Sequence, residues 1–218
     1  THWEAFPNPT WYDTVWRSPE TWVADKSYSP QGRGFPSVCA FHQQRLLLAR
    51  TSSATQAIWG SRLGIIEDFI LGVEENEPFS FDIDTNEATT IQWMKSQQGL
   101  ILGTTAGIFS VNETGGFLSA GQITAGRETA KRSKFAEALV DNDLLYIERG
   151  GKKLQMAQFN SAYGSITSND ISWVADHIGD RKFKKIALLY TPEPLVIALL
   201  EDNTIAGLSY NKDANQLG

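Results

Sequence analysis

The sequence predicts an all-β protein of repeated sheet units, a β-propeller-like chain of four to five blades with one short helix near 169–178. Three observations carry that expectation. Helical periodicity is scarce, apolar runs of about five residues alternate with turn signals, and pairs of such runs recur about every 45–50 residues. A single sheet cannot bury both of its faces, so repetition is what would complete a core. A β-sandwich, whose strands also follow one another at short intervals, stays open as the alternative architecture.

Each repeat has a first strand, a polar turn and a second strand. In "QRLLLARTSSATQAIWGS" (Gln44–Ser61) the plan is loose, and in "GLILGTTAGIFSV" (Gly99–Val111) two apolar runs flank a Gly-containing turn. "DLLYIERGGKKLQMAQF" (Asp143–Phe159) reads as a hairpin in which Gly150-Gly151 supplies the positive φ of a tight turn. "PLVIALLEDNTIAGLSY" (Pro194–Tyr210) repeats the plan around Asp202-Asn203. The first strands begin near Leu46, Leu100, Leu144 and Leu195, spaced 54, 44 and 51 residues apart. "TTIQWMKSQQ" and "FKKIALLYTPE" add an upstream strand to two copies. Residues 1–35, with Trp3, Trp11, Trp16 and Trp22, read as the end of a preceding unit or an extended segment, and 36–218 as the blades. Glu113–Ala138 is polar and Gly-rich and reads as an extended loop; a closed ring would then draw on residues outside this chain or share one blade between its ends.

Helix is expected in "NDISWVADHI" (Asn169–Ile178), where Ile171, Val174, Ala175 and Ile178 follow i, i+3, i+4, i+7 spacing. Ser168 or Asn169 can cap its start and Gly179 can end it. A second helical turn is expected at Gly64–Phe69.

Composition narrows the function. With 19 basic and 25 acidic side chains the net charge is −6, which argues against sequence-independent nucleic-acid binding but not against a passage through which DNA slides. Cys39 is alone, which excludes an intrachain disulfide and a Cys/His zinc framework. No apolar run reaches the roughly 20 residues of a membrane-spanning helix. No signal peptide is visible, and a start at Thr1 suggests a piece of a longer polypeptide or a processed end.

Catalytic patterns are weak. His2, His42 and His177 share no metal-ligand spacing, and Asp176 beside His177 on a helix would point about 100° away from it. A surface or capping role suits His177 better. "FDIDTNEATT" (Phe81–Thr90) fails as a calcium loop, because Glu87 and Trp93 stand where Gly and Glu are required. Asp82 and Asp84 would instead share a solvated strand face, opposite Phe81 and Ile83. Glu67, Asp68, Asp82, Asp141 and Glu148 are the carboxylates a propeller glycosidase could use, but spacing does not show that they converge. "GRGF", "RGGKK" and "DRKFKK" lack the strand-to-helix context of a phosphate loop, and the last reads as a solvated strand end. Seven tryptophans could stack on sugars, yet large aromatics more often fill the space between sheets.

"GFPSVCAFHQQRLLLA", "AIWGSRLGIIEDF", "FSFDI" and "TIQWMKSQQGLILGTTAGIFSV" follow in an order that resembles the β-propeller region of bacteriophage tail proteins, the tubular, nozzle or head-to-tail stabilisation proteins of short-tailed phages. The family pattern W-x-S-R-x-G-x-x-x-x-F is met by Trp59, Ser61, Arg62, Gly64 and Phe69. Its R-G-G hairpin is met by Arg149, Gly150 and Gly151, and its D-L-S-x-x-A-x-H-L helix by Asp170 and His177. The chain departs from the pattern at Leu154-Gln155, where an Arg-Glu pair is expected. The resemblance implies a structural, non-enzymatic virion protein without a cofactor, made in the host cytoplasm. It implies contacts with other copies in a ring, with portal, adaptor or tail proteins, and with DNA passing without sequence-specific binding. The alternatives are a propeller glycoside hydrolase or depolymerase and a carbohydrate-binding module. Arg62 is then expected to pair with Glu67, Asp68 or backbone carbonyls, with Ile66 and Phe69 anchoring the turn.

Overall fold

The computed structural model describes residues 34–97, 99–113, 118, 123–134, 139–140, 143–160, 165–173, 176–189, 195–211 and 216–217. Among them, sixteen strands form four antiparallel sheets of four, each strand pairing with its neighbours in sequence. The first sheet holds β1 (Val38–His42), β2 (Arg45–Ala49), β3 (Ala57–Gly60) and β4 (Phe79–Asp82). The second holds β5 (Ile91–Ser96), β6 (Leu100–Thr104), β7 (Ile108–Glu113) and β8 (Ile123–Thr129). The third holds β9 (Leu139–Val140), β10 (Leu144–Ile147), β11 (Leu154–Asn160) and β12 (Ser165–Asp170). The fourth holds β13 (Phe183–Leu189), β14 (Leu195–Leu200), β15 (Ile205–Asn211) and β16 (Gln216–Leu217). The all-β class is as expected, and the first strands of the four repeats are β2, β6, β10 and β14, the second strand of every sheet.

The chain divides into two compact units, Thr1–Asp84 with Glu113–Thr124, and Thr85–Asn112 with Ala125–Gly218. In the first, Ala57, Trp59 and Phe69 form an apolar cluster against Leu46, Leu48 and Ala54. In the second, the third sheet is covered on both faces. Leu144, Tyr146, Ala157 and Ile166 pack with Trp93, Ile101 and Ile108 of the second sheet. Leu145, Ile147, Leu154 and Met156 pack with Phe183, Ile186, Val196 and Leu200 of the fourth. Successive side chains of β10 therefore go to opposite neighbours, and all four are buried. That is why "LLYI" is continuously apolar where a sheet with one wet face would alternate.

Turn chemistry follows the sequence in part. Gly151 has φ 74 and its N–H bonds the Glu148 carbonyl at 2.8 Å, but Gly150 does not share the positive φ. Asn203 takes φ 64 in the β14–β15 turn, where Asp202 Oδ1 accepts from the Thr204 N–H at 2.9 Å. The β1–β2 turn places two non-glycine residues, Gln43 (φ 47) and Gln44 (φ 59), in the left-handed region.

Three expectations are corrected. Among the described residues the α-helix is α1 (Asp176–Gly179), and it does not begin at Asn169, because β12 runs through Asp170 and Asn169 pairs with Met156 across the ladder. The i, i+3 spacing was misleading here: Ile171 is buried in the core as the residue that leaves the sheet, its N–H bonded to the Leu154 carbonyl. Gly64–Phe69 is not helical; Arg62 and Ile65 form an isolated antiparallel bridge and tight turns surround it. Glu113–Ala138 is not all loop, since Ile123–Thr129 forms the edge strand β8. Residues 1–33, with His2 and four of the tryptophans, lie outside the described residues, as does Asp141.

Candidate functional site

The W-x-S-R-x-G-x-x-x-x-F segment leaves β3 and opens the long β3–β4 connection. Trp59 and Phe69 are buried together in one cluster. Gly60 lies directly across from Phe79, and a Cβ there would overlap the Phe79 ring. Ser61 is fully buried; its Oγ accepts from the Leu46 N–H at 2.9 Å, and its own N–H bonds the Leu46 carbonyl at 3.0 Å. The serine thus continues the β2–β3 ladder by one side-chain bond and is not a nucleophile aimed at solvent. Arg62 Nε donates to Asp68 Oδ2 at 2.7 Å, while the Arg62 N–H bonds the Asp68 carbonyl at 2.9 Å. That hydrogen bond and the nearby carboxylates raise the Arg62 guanidinium above its ordinary value. Asp68 Oδ1 accepts from the Ile70 N–H at 3.1 Å, so both oxygens of this carboxylate are engaged. Gly64 has φ 74 with open space at its Cβ position, and its N–H bonds the Gln44 carbonyl at 3.0 Å. Asp68 is the expected partner of Arg62; Ile66 is 42% exposed and anchors nothing, leaving Phe69 as the apolar anchor.

One residue here has no counterpart among the sequence candidates. Arg45 is 2% exposed, and its guanidinium donates to the carbonyls of Ser61 (2.6 Å), Glu77 (2.9 Å) and Glu75 (2.5 Å). It also lies over the Phe79 ring, 5.4 Å from the centroid. Burial, with the nearby Arg62 charge, lowers its pKa. Its hydrogen-bond acceptors among the described residues are all backbone carbonyls, so it acts as a clamp that fastens both ends of the β3–β4 connection. Held this way, the connection shows Leu63, Ile65, Ile66, Ile70, Leu71 and Val73 to solvent, Val73 at 90%.

The R-G-G hairpin builds a second feature, within the other unit. The segment Ala130–Lys134 lies beside the end of β10 through bonds from the Arg149 N–H to the Arg132 carbonyl (2.9 Å) and the Lys134 N–H to the Ile147 carbonyl (3.0 Å). Between this segment and the hairpin is a cleft of about 400 Å³, with Lys131, Arg132, Arg149 and Lys153 on its walls beside Glu148 and Gln155. Gln155 is 1% exposed; its Oε1 accepts from Lys131 Nζ at 2.9 Å and its Nε2 donates to Glu148 Oε2 at 3.2 Å. Lys153 Nζ reaches Asp170 Oδ2 at 2.8 Å. Asp170 Oδ1 also accepts from the Ser172 N–H (3.0 Å) and hydroxyl (2.9 Å). Burial pushes the Asp170 carboxyl up, but the Lys153 and Ser172 donors outweigh it and hold it below its ordinary value.

The remaining sequence candidates are dispersed. His177 and Asp176 are both exposed on α1, in keeping with a surface role. Asp82 and Asp84 are exposed while Ile83 is buried, the solvated face expected of them. Trp59 and Trp93 are core residues, whereas Trp173 is 61% exposed. In "DRKFKK" Phe183 is fully buried and Lys184 and Lys185 are exposed, as a strand end requires. Among the described residues no cluster of three His, Cys, Asp or Glu side chains could hold a metal, and Cys39 is exposed with a free thiol. No helix of the described residues is long and apolar enough to cross a membrane. No family model and no curated protein sequence matches the chain.

Proposed function

We propose that the chain is a structural component of a phage tail or head-to-tail connector, its four sheets acting as β-propeller blades in a ring assembled around a DNA exit channel. The observation that carries this reading is the succession of four four-stranded meanders, with the third sheet packed between the second and the fourth. Blades stack in that sequential, face-to-face manner. The ordered motifs that resemble the phage tail family support the role, and their residues are engaged in scaffold: Trp59 and Phe69 in a core, Ser61 in a ladder, Arg62 in an ion pair. The partners in this reading are further copies of the chain and neighbouring portal, adaptor or tail proteins. The exposed apolar β3–β4 connection is the surface best suited to such contacts. DNA would pass without sequence-specific binding, and the location would be the virion.

Sedimentation velocity with electron microscopy of the purified protein tests the proposal. Closed rings of several copies are the expected result. A strictly monomeric protein that depolymerises bacterial surface polysaccharide would overturn it in favour of the hydrolase.

A further inference from the structure

The cationic cleft at the β10–β11 hairpin is not used by the structural role, and its composition runs against the net charge of −6. Four cations share its walls with one carboxylate, Glu148. Their pairing is uneven. Lys153 is committed to Asp170. Lys131 is held by the Gln155 carboxamide, which fixes the ammonium in place without cancelling its charge. Arg132 has Glu87 as its acidic neighbour, at 3.9 Å, beyond hydrogen-bonding distance. The exposed Arg149 guanidinium has no hydrogen bond or ion pair among the described residues. Two arginines and a lysine therefore line one volume with N–H donors to spare.

We propose that this cleft binds a small phosphorylated ligand through its phosphoryl oxygens. A planar carboxylate is satisfied by a single guanidinium fork, whereas donors arriving from Arg132, Lys131 and Arg149 on two walls match a tetrahedral, multiply charged group. The volume of about 400 Å³ lies in the range of small-molecule pockets and leaves room for a second phosphoryl or an attached body. Gln155 is central: it is buried, and it ties Lys131 to Glu148, so it sets the spacing of cation and carboxylate at the floor. Glu148 opposes an incoming anion and tunes affinity downward. The inference rests on this unit alone and does not depend on ring assembly.

Calorimetric titration of inorganic pyrophosphate into the whole chain, in low-salt buffer free of phosphate, tests it. One saturable site is expected. Arg149→Gln, at an exposed position that leaves the melting temperature unchanged, is expected to weaken binding about tenfold, the loss of one charge-assisted bidentate contact. Glu148→Gln is expected to tighten binding several-fold, an opposite sign that a general folding defect would not produce. Citrate and a short oligothymidylate serve as competing arms. Absence of saturable pyrophosphate binding by about 10 mM, in the millimolar range of the weakest specific sites, would overturn the proposal. So would wild-type affinity in Arg149→Gln, equal binding of citrate, or binding of the oligonucleotide with none of pyrophosphate.

Discussion

Arg45 shows how much one side chain can hold. Its partners, the carbonyls of Ser61, Glu75 and Glu77, lie 16, 30 and 32 residues downstream, so a single buried guanidinium closes a connection that has little regular structure of its own. Removing it leaves the buried Ser61 carbonyl unpaired, at about 1–3 kcal/mol, takes a donor from the less buried Glu75 and Glu77 carbonyls, and loses the contact with the Phe79 ring. Arg45→Met is expected to destabilise the protein by about 3 kcal/mol, read as a lower urea midpoint with unchanged slope. Arg45→Lys is expected to recover less than half of that, because a compact ammonium cannot reach three carbonyls in a fork geometry. At this scale the chemistry of Arg62 was readable locally, since Asp68 is six residues away. That of Arg45 was not, because its identity as a clamp depends on where distant carbonyls come to rest.

Between strands, two sheets use the same device: a glycine directly opposite an aromatic ring. Gly60 faces Phe79 in the first sheet and Gly103 faces Trp93 in the second. A Cβ at Gly103 would overlap the Trp93 indole, whose Nε1–H donates to Ser133 Oγ at 2.5 Å. Trp93 also meets Tyr146 of the third sheet, with ring centroids 5.7 Å apart. Gly103→Ala is expected to displace the indole and cost about 1–3 kcal/mol, seen as a lower melting temperature together with a shifted Trp fluorescence maximum. At the end of β12, Asp170 closes the strand by accepting from Ser172 and Lys153. Its pKa is held below the ordinary 3.8, so its stabilisation is present above that value and is lost as pH falls through the folded pKa. Melting temperature should therefore fall less steeply in Asp170→Asn than in the wild type between about pH 5 and pH 2, while the variant melts lower at neutral pH. A parallel pH profile in the two proteins would contradict this.

For the molecule as a whole, the energetics reside in faces. The third sheet gives one face to the second and the other to the fourth, and buries all four side chains of β10. In the other unit, the β3–β4 connection leaves six large apolar side chains in water, more than scattered surface residues explain. Ile70→Ser with Val73→Ser is expected to leave the unfolding midpoint within about 0.5 kcal/mol of wild type, because both side chains are exposed. The same pair is expected to shift sedimentation toward the monomer. Unchanged assembly in that variant would place the contact elsewhere.

Strand content, the rhythm of the four repeats and the starts of their first strands were legible in the sequence, because period-2 burial and turn residues are local properties of the chain. Leu100, Leu144 and Leu195 mark those starts to the residue, and Gly151 and Asn203 mark turns. Locality also explains the failures. "NDISWVADHI" carries helical spacing, yet pairing of Asn169 with Met156 extends β12 and shortens the helix, since a ladder bond to a distant strand outweighs weak helical propensity. "RGGKK" lacks the context of a phosphate loop, and its local pattern is that of a hairpin turn. Its arginine and lysine acquire chemical meaning only when Ala130–Lys134 is hydrogen-bonded alongside and Gln155 is buried beneath. Sequence-local forces thus settled where strands and turns fall. Which charges share one cleft, and which arginine holds the long connection, were settled by tertiary packing, because side chains and carbonyls tens of residues apart meet only after the sheets have formed.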